Sequence, residues 1–248
     1  VGSIPTELTK SQICLSSWWG ASFSLTVVCG FPVEIMAREL PATSALSSSQ
    51  VTALHDRCTA AWHHEAPSVG GSWKGLERLV AEQHLANFEL WHAEDRARTP
   101  GASDHEVASV KRVIDRANQR RNDLSEKCDV FLLNLLNQQN LPAAEAELHS
   151  ESPGLILDRL SILSLKIFHT REEMQRPGAP AGHAERNLQR LAILTEQRAD
   201  LAESLDRLWQ QILDRQRRFK LYRQLKMYND PELNPAVYAA PAKSASDL

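Results

Sequence analysis

Apolar residues recur along most of this chain at alternating steps of four and three, the spacing that gathers one face of an α-helix against a partner. The clearest run is Val110, Ile114, Ala117, Arg121, Leu124, Cys128, Phe131 and Leu135. A second is Leu188, Leu191, Thr195, Arg198, Ala202, Leu205, Trp209, Ile212, Gln216 and Phe219. Between them Leu155, Ile156, Leu157, Leu160, Ile162, Leu163, Leu165, Ile167 and Phe168 leave almost no polar side, which predicts a central, buried helix.

Breakers and caps divide the pattern into five helices. The first is predicted from the serine cluster Ser47 to Ser49, a natural cap, through Val51, Leu54, Cys58, Ala61 and Trp62, with Ser68 to Gly71 ending it. A second runs from Ser72 to about Arg98, where Thr99, Pro100 and Gly101 break it. Ser103 or Asp104 caps a third, which reads to Asn140 and stops at Pro142. The fourth follows Ser152, takes Pro153 as its first residue and lasts to about Arg176. The fifth opens near His183 and is predicted to continue past Met227, with a bend near Arg215, until Pro231 and Pro235 stop it. No β-hairpin signal interrupts the series. The expected fold is all-α, a single-domain bundle of about five long, mostly antiparallel helices over residues 50–238.

Residues 1–49 are expected to form a non-core N-terminal extension. Its first 35 residues are almost uncharged, with an apolar stretch from Ile13 to Val33 interrupted by serines, Gly20 and Gly30. A secretory signal or a membrane span is conceivable there, but the preferred reading is an over-extended gene model with Met36 as the true start. Residues 239–248 are read as a disordered tail.

Composition agrees with helices: 10 Gly and 3 Tyr in 248 residues, 42% hydrophobic, enough to bury a substantial core. A net charge of -3 provides no field to hold nucleic acid, so no nucleic-acid partner is expected. Cys14, Cys29, Cys58 and Cys128 have no close pairing that would suggest a zinc knuckle or redox motif; Cys58 and Cys128 fall on apolar faces as inert thiols, and a cytoplasmic location fits. Nucleotide loops and a Gly-x-Ser-x-Gly elbow are absent from the sequence.

Candidate chemistry lies where polar residues sit on or beside the buried stripes. Arg121 stands in the middle of the third helix's apolar face, and a guanidinium there requires a carboxylate, an anion or water. Asp115, Asn118, Asn122 and Asp123 surround it. On the second helix His84, Asn87, Trp91, Asp95 and Arg98 share one face, flanked by His92 and Glu94; the indole argues that this face is shielded, while the simpler alternative is a solvated face with an Asp95 to Arg98 ion pair. On the fourth helix Asp158 and Ser161 need partners, and Arg159, Lys166, His169 and Glu173 share a strip with Ile162. A buried Lys beside His and Glu would couple titrations and supply a general acid or base, although a structural ion-pair network reads the same. Late in the fifth helix Arg215, Arg217, Arg218, Lys220, Arg223 and Lys226 suit either the helix dipole or a phosphate or anionic lipid. Glu89 and His92 form the lone Glu-x-x-His spacing, which speaks against a dinuclear iron site. The His63 and His64 pair with Glu65 reads as a frayed helix end before a weak metal site. No metal site and no cofactor are expected.

Four motifs in order carry a family resemblance: Leu90 to Arg98 (LWHAEDRAR), Ile114 to Asp123 (IDRANQRRND), Glu151 to Glu173 (ESPGLILDRLSILSLKIFHTREE) and Lys226 to Pro235 (KMYNDPELNP). Over about residues 50–238 the chain resembles a bacterial all-helical family, domain of unknown function 4254. The resemblance implies an all-α fold and assigns no reaction, cofactor or catalytic residue; members of that family are often encoded near glycosyltransferases of envelope saccharide synthesis.

Two functions are weighed. In the first, the chain binds or transforms an anionic small molecule of the sugar-phosphate or nucleotide-sugar type in cell-envelope saccharide metabolism. His169 with Glu173 or Glu94 would move a proton, and Asn87, Trp91, His92, Asp95, Arg98, Asp115, Asn118, Arg121, Asn122, Asp158, Arg159, Lys166 and Lys226 would form the binding set, Trp91 offering a stacking face. In the second, a non-catalytic helical adaptor serves a glycosyltransferase and the polar network fixes helix register. A mononuclear metal enzyme using Glu89 and His92 is a smaller third reading. No integral membrane span is expected in the core domain.

Overall fold

The computed structural model describes residues 46–225 and 232–235. Among these residues five helices form an all-α bundle: α1 (Ser48–Trp62), α2 (Gly75–Ala97), α3 (Asp104–Asn137), α4 (Pro153–Met174) and α5 (His183–Leu213). Two residues of β1 (Glu147–Leu148) pair in parallel with β2 (Arg217–Arg218). The expectations for residues 1–45, 226–231 and 236–248 lie outside the described residues, and with them the Met36 start, the disordered tail and Lys226.

Two helix starts have a local cause. At α3 Ser103 and Glu106 form a reciprocal capping box, the Ser103 side chain accepting from Glu106 N–H and the Glu106 carboxylate from Ser103 N–H. At α4 Ser152 caps Leu155 N–H with Pro153 behind it. The serine cluster before α1 behaves differently: Ser47 makes no side-chain cap, and Asp206 of α5 instead accepts the Ser48 N–H (2.9 Å) and hydroxyl (2.6 Å). The bundle therefore begins before residue 50, with Leu46 and Ser48 buried.

The central position expected for α4 is observed. It touches all four other helices, and Ile156, Leu157, Leu160 and Leu165 are buried in one cluster with Leu132, Leu136, Leu205 and Ile212. The backbones of α3 and α4 approach so closely at Gly154 that a Cβ there would lie 2.3 Å from the Ser125 carbonyl oxygen. Asp129 of α3 receives the Ser152 hydroxyl and the Gly154 N–H (2.7 Å), and burial raises its carboxyl to about 6.

The fifth helix is shorter than its periodicity suggests. It stops at Leu213, because Arg215 adopts the left-handed conformation (φ 63°) and the chain turns to run beside β1. Phe219, read above as the end of a helical stripe, is buried after that turn. Arg217 and Arg218 accordingly lie beyond the helix and have other partners: Arg217 pairs with Glu147 (2.8 Å) and Arg218 donates to the Ala146 carbonyl (2.7 Å). In the N-terminal half of α5 the buried line runs through Leu194 and Leu201, leaving Leu188 and Thr195 exposed. No helix among the described residues is long and apolar enough to cross a membrane.

Candidate functional site

The polar residues of α2 separate by depth along the helix. Near its middle, Gln83 and Asn87 donate to Asp158 Oδ1 of α4, Asn87 also donates to Ser161 Oγ (2.9 Å), and Arg121 of α3 reaches Asp158 Oδ2 (3.0 Å) while its Nε donates to Asn118 (3.1 Å). The carboxylate that Arg121 requires is thus Asp158, in a half-buried hub joining α2, α3 and α4. Beside it His84 is enclosed between the hydroxyls of Thr59 (2.8 Å) and Ser161 (2.7 Å) and stacks on His55 at 4.5 Å. Burial lowers His84 to about 3 and holds His55 well below the usual imidazole range.

One helical turn further on lies a second assembly. His63 caps the C-terminus of α1, His92 stands on α2 and His169 on α4, and one ring nitrogen from each lies within 4.8 Å of the other two. Their ring centroids are 5.0 to 5.5 Å apart, with the planes steeply inclined. Aromatic walls fix them: Trp91 stacks on His169 (4.7 Å, 6° between planes), Phe168 stacks on His63 (4.3 Å), and Phe88 meets His92 edge-on (4.5 Å).

Hydrogen bonds orient the rings. His63 Nδ1 donates to the Thr59 carbonyl (2.7 Å) and His169 Nδ1 to the Glu172 carboxylate (2.8 Å). In both rings the remaining Nε2 is buried with no hydrogen-bond partner among the described residues. Asp95 Oδ2 lies 4.0 Å from His92 Nδ1. Desolvation, then the neighbouring imidazoles, lowers His92; desolvation also lowers His169 against the opposing pull of Glu172.

His92 and Phe88 also line an open groove of about 760 Å³ between α2 and α3, with Pro67, Glu89, Asp95, Arg96, Val113, Arg116, Ala117 and Arg120. Glu89 is occupied by Arg120 (3.0 Å), whereas Arg96 and Arg116 are exposed and form no ion pair among the described residues. Arg116 and Arg120 also line a smaller cavity of about 340 Å³ with Glu82, Gln119 and Asp123.

Of the residues singled out from sequence, Trp91, His92 and His169 come together, and Asn87, Asn118, Arg121 and Asp158 come together separately. The others disperse. Arg98 pairs with Glu94 (2.6 Å) rather than Asp95, Asp115 with Lys111, and Arg159 with Glu151 (2.9 Å), all at the surface or partly exposed. Asn122 is half-buried on α3. The buried Lys beside His and Glu is not found: Lys166 is exposed, because the α4 strip holding it turns outward between buried Leu165 and Ile167. Glu173 faces the start of α5, bonded to His183 (3.1 Å) and Arg176 (3.3 Å), so His169 is served by Glu172 instead. Sequence reasoning missed His63 as a member of the cluster and Arg96, Arg116 and Arg120 as groove residues. Arg116 and Arg120, at a four-residue spacing beside the Arg121 stripe, were the available signal for the groove.

These features define a class: an all-α bundle with an interhelical imidazole cluster opening on a basic groove. The match of residues 77–221 is to the family described as "Protein of unknown function (DUF4254)", and the chain belongs to that family. The matched segment is narrower than the motifs suggested; it contains His92, His169 and the α2 and α3 arginines of the groove, and begins after α1 and His63. No curated protein and no solved structure matches the chain.

Proposed function

We propose that this protein binds an anionic small molecule, of the sugar-phosphate type, in the groove between α2 and α3. The reading rests on one observation above all: Arg96 and Arg116 present guanidinium groups to a concave surface without a carboxylate partner among the described residues. A guanidinium fork matches two phosphate oxygens, and Arg120, released from Glu89, adds a third. Phe88, Val113 and Ala117 supply an apolar floor for the ligand's uncharged part, and His92 stands at its edge as a neutral imidazole able to accept a proton. The buried, free Cys58 and Cys128, with Cys58 raised to about 11, agree with an intracellular setting in which such metabolites occur.

Calorimetric titration of a hexose phosphate, with the free hexose as control, tests this. Each guanidinium bond to phosphate is worth about 1.5–3 kcal/mol, so Arg96→Ala and Arg116→Ala should each weaken binding about tenfold or more without altering the unfolding transition. Phosphate binding unaffected by both substitutions would contradict the reading. No heat at millimolar ligand would do so too, and would leave the helical adaptor for a glycosyltransferase as the better account.

A further inference from the structure

The anion groove gives no role to the two buried, unpartnered imidazole nitrogens beside it. His63 and His169 each commit Nδ1–H to an oxygen acceptor, the Thr59 carbonyl and the Glu172 carboxylate, which leaves Nε2 as a bare lone pair. Both Nε2 atoms are buried and have no donor among the described residues. A buried acceptor lacking a donor is unfavourable, and two in one cluster require an explanation. Hydrophobic packing does not provide it, since leucine or phenylalanine would fill the same space without lone pairs to desolvate.

We infer that His63, His92 and His169 form a mononuclear binding site for a divalent transition metal of the zinc class. Three imidazole nitrogens from three helices within 4.8 Å of one another are the donor set. Neutral imidazole suits zinc and its late first-row neighbours and does not suit magnesium or calcium, which take oxygen. The partners of the other ring nitrogens follow the pattern by which metal-bound histidines are held: a backbone carbonyl behind His63, a carboxylate behind His169, and Asp95 near His92. These carboxylates also offset part of the ion's charge.

Metal–nitrogen distances of about 2.0–2.1 Å would draw the donors together by up to roughly 1.5 Å. Such a movement needs little of the fold, because His63 sits at the C-terminal end of α1 and His92 is partly exposed. Three protein ligands leave a fourth position open, the arrangement of catalytic rather than structural zinc sites, and His92 is the ligand that also lines the groove. The site stands independently of the anion reading, since it is tested with metal alone.

The experiment is titration of the metal-stripped full chain with Co²⁺ and then Zn²⁺. The expected result is about one Co²⁺ per chain with the intense visible bands of tetrahedral nitrogen coordination, displaced by Zn²⁺ in the same ratio. His92→Gln, at a position more exposed than His169, and His169→Gln should each weaken Zn²⁺ binding about a hundredfold or more. Glu172→Gln, which never touches the metal, should weaken it about tenfold. Replacing His64, exposed and next in sequence to His63, should change nothing. If a histidine variant fails to fold, the wild-type Co²⁺ spectrum decides alone. Absence of stoichiometric binding, an octahedral spectrum, or affinity that survives His92→Gln in a folded variant would overturn the proposal.

Discussion

His84 has a hydroxyl on each ring nitrogen and a second imidazole stacked upon it, and every one of these neighbours is buried. Its folded-state pKa of about 3 lies far below the unfolded value of 6.5. The unfolded chain therefore binds the proton first as pH falls. The stabilising contribution is fully present above 6.5 and is lost on acidification, by roughly 2 kcal/mol at pH 5. His55 adds to the loss, whereas Asp129, raised to about 6, opposes it, since its contribution is greatest at low pH and declines as pH rises through 6. The difference between wild type and His84→Gln isolates the term: urea unfolding from pH 7 to pH 5 should show the wild type losing about 2 kcal/mol more than the variant. Equal losses would mean that His84 is solvated. Sequence placed His84, Asn87, Trp91, Asp95 and Arg98 on one face, and that much was legible. What periodicity does not carry is depth along the axis. His84 and Asn87 lie opposite α4 in the bundle's interior, while Asp95 and Arg98, on the same face two turns later, are exposed.

At the scale of elements, sequence identified five helices, and the starts of α3 and α4 fell at the residues whose capping chemistry predicted them. The end of α5 was not legible. The apolar spacing continues through Ile212 to Phe219 even though the helix has ended, because a chain turning back onto the core buries a residue at nearly the same interval. The contact between α3 and α4 was equally hidden, since a single glycine in a helix's first turn has no periodic signature. Gly154 allows the two backbones to meet, and a methyl group there would lie 2.3 Å from Ser125 O and 2.8 Å from Asp129 Cγ. Only a shift of one helix against the other relieves such a contact. Gly154→Ala should lower unfolding stability by about 3 kcal/mol, near the upper end for overpacking, despite alanine's better helix propensity. A neutral or stabilising effect in denaturant titration would show that α3 and α4 lie farther apart.

For the molecule as a whole, the site is a product of tertiary structure. His63, His92 and His169 come from α1, α2 and α4, and no local spacing relates them. The Glu-x-x-His test looked for both ligands on one helix, and Glu89 in fact pairs with Arg120 of α3. The convergence of Trp91 with His169 was anticipated; the separation of Arg121 and Lys166 from them was not, because interhelical pairs absorb a guanidinium as readily as a ligand does. The metal inference depends on three imidazole rings meeting at one point with His63 and His169 turned Nε2-inward. The most direct measurement is a long-range ¹H–¹⁵N spectrum of the histidines at pH 8, assigned with single His→Gln variants. The account predicts Nδ1–H tautomers for His63 and His169, bare Nε2 nitrogens, and cross-relaxation among the three rings, whose centroids lie 5.0 to 5.5 Å apart. Solvent-averaged Nε2–H tautomers with no contact between the rings would contradict it.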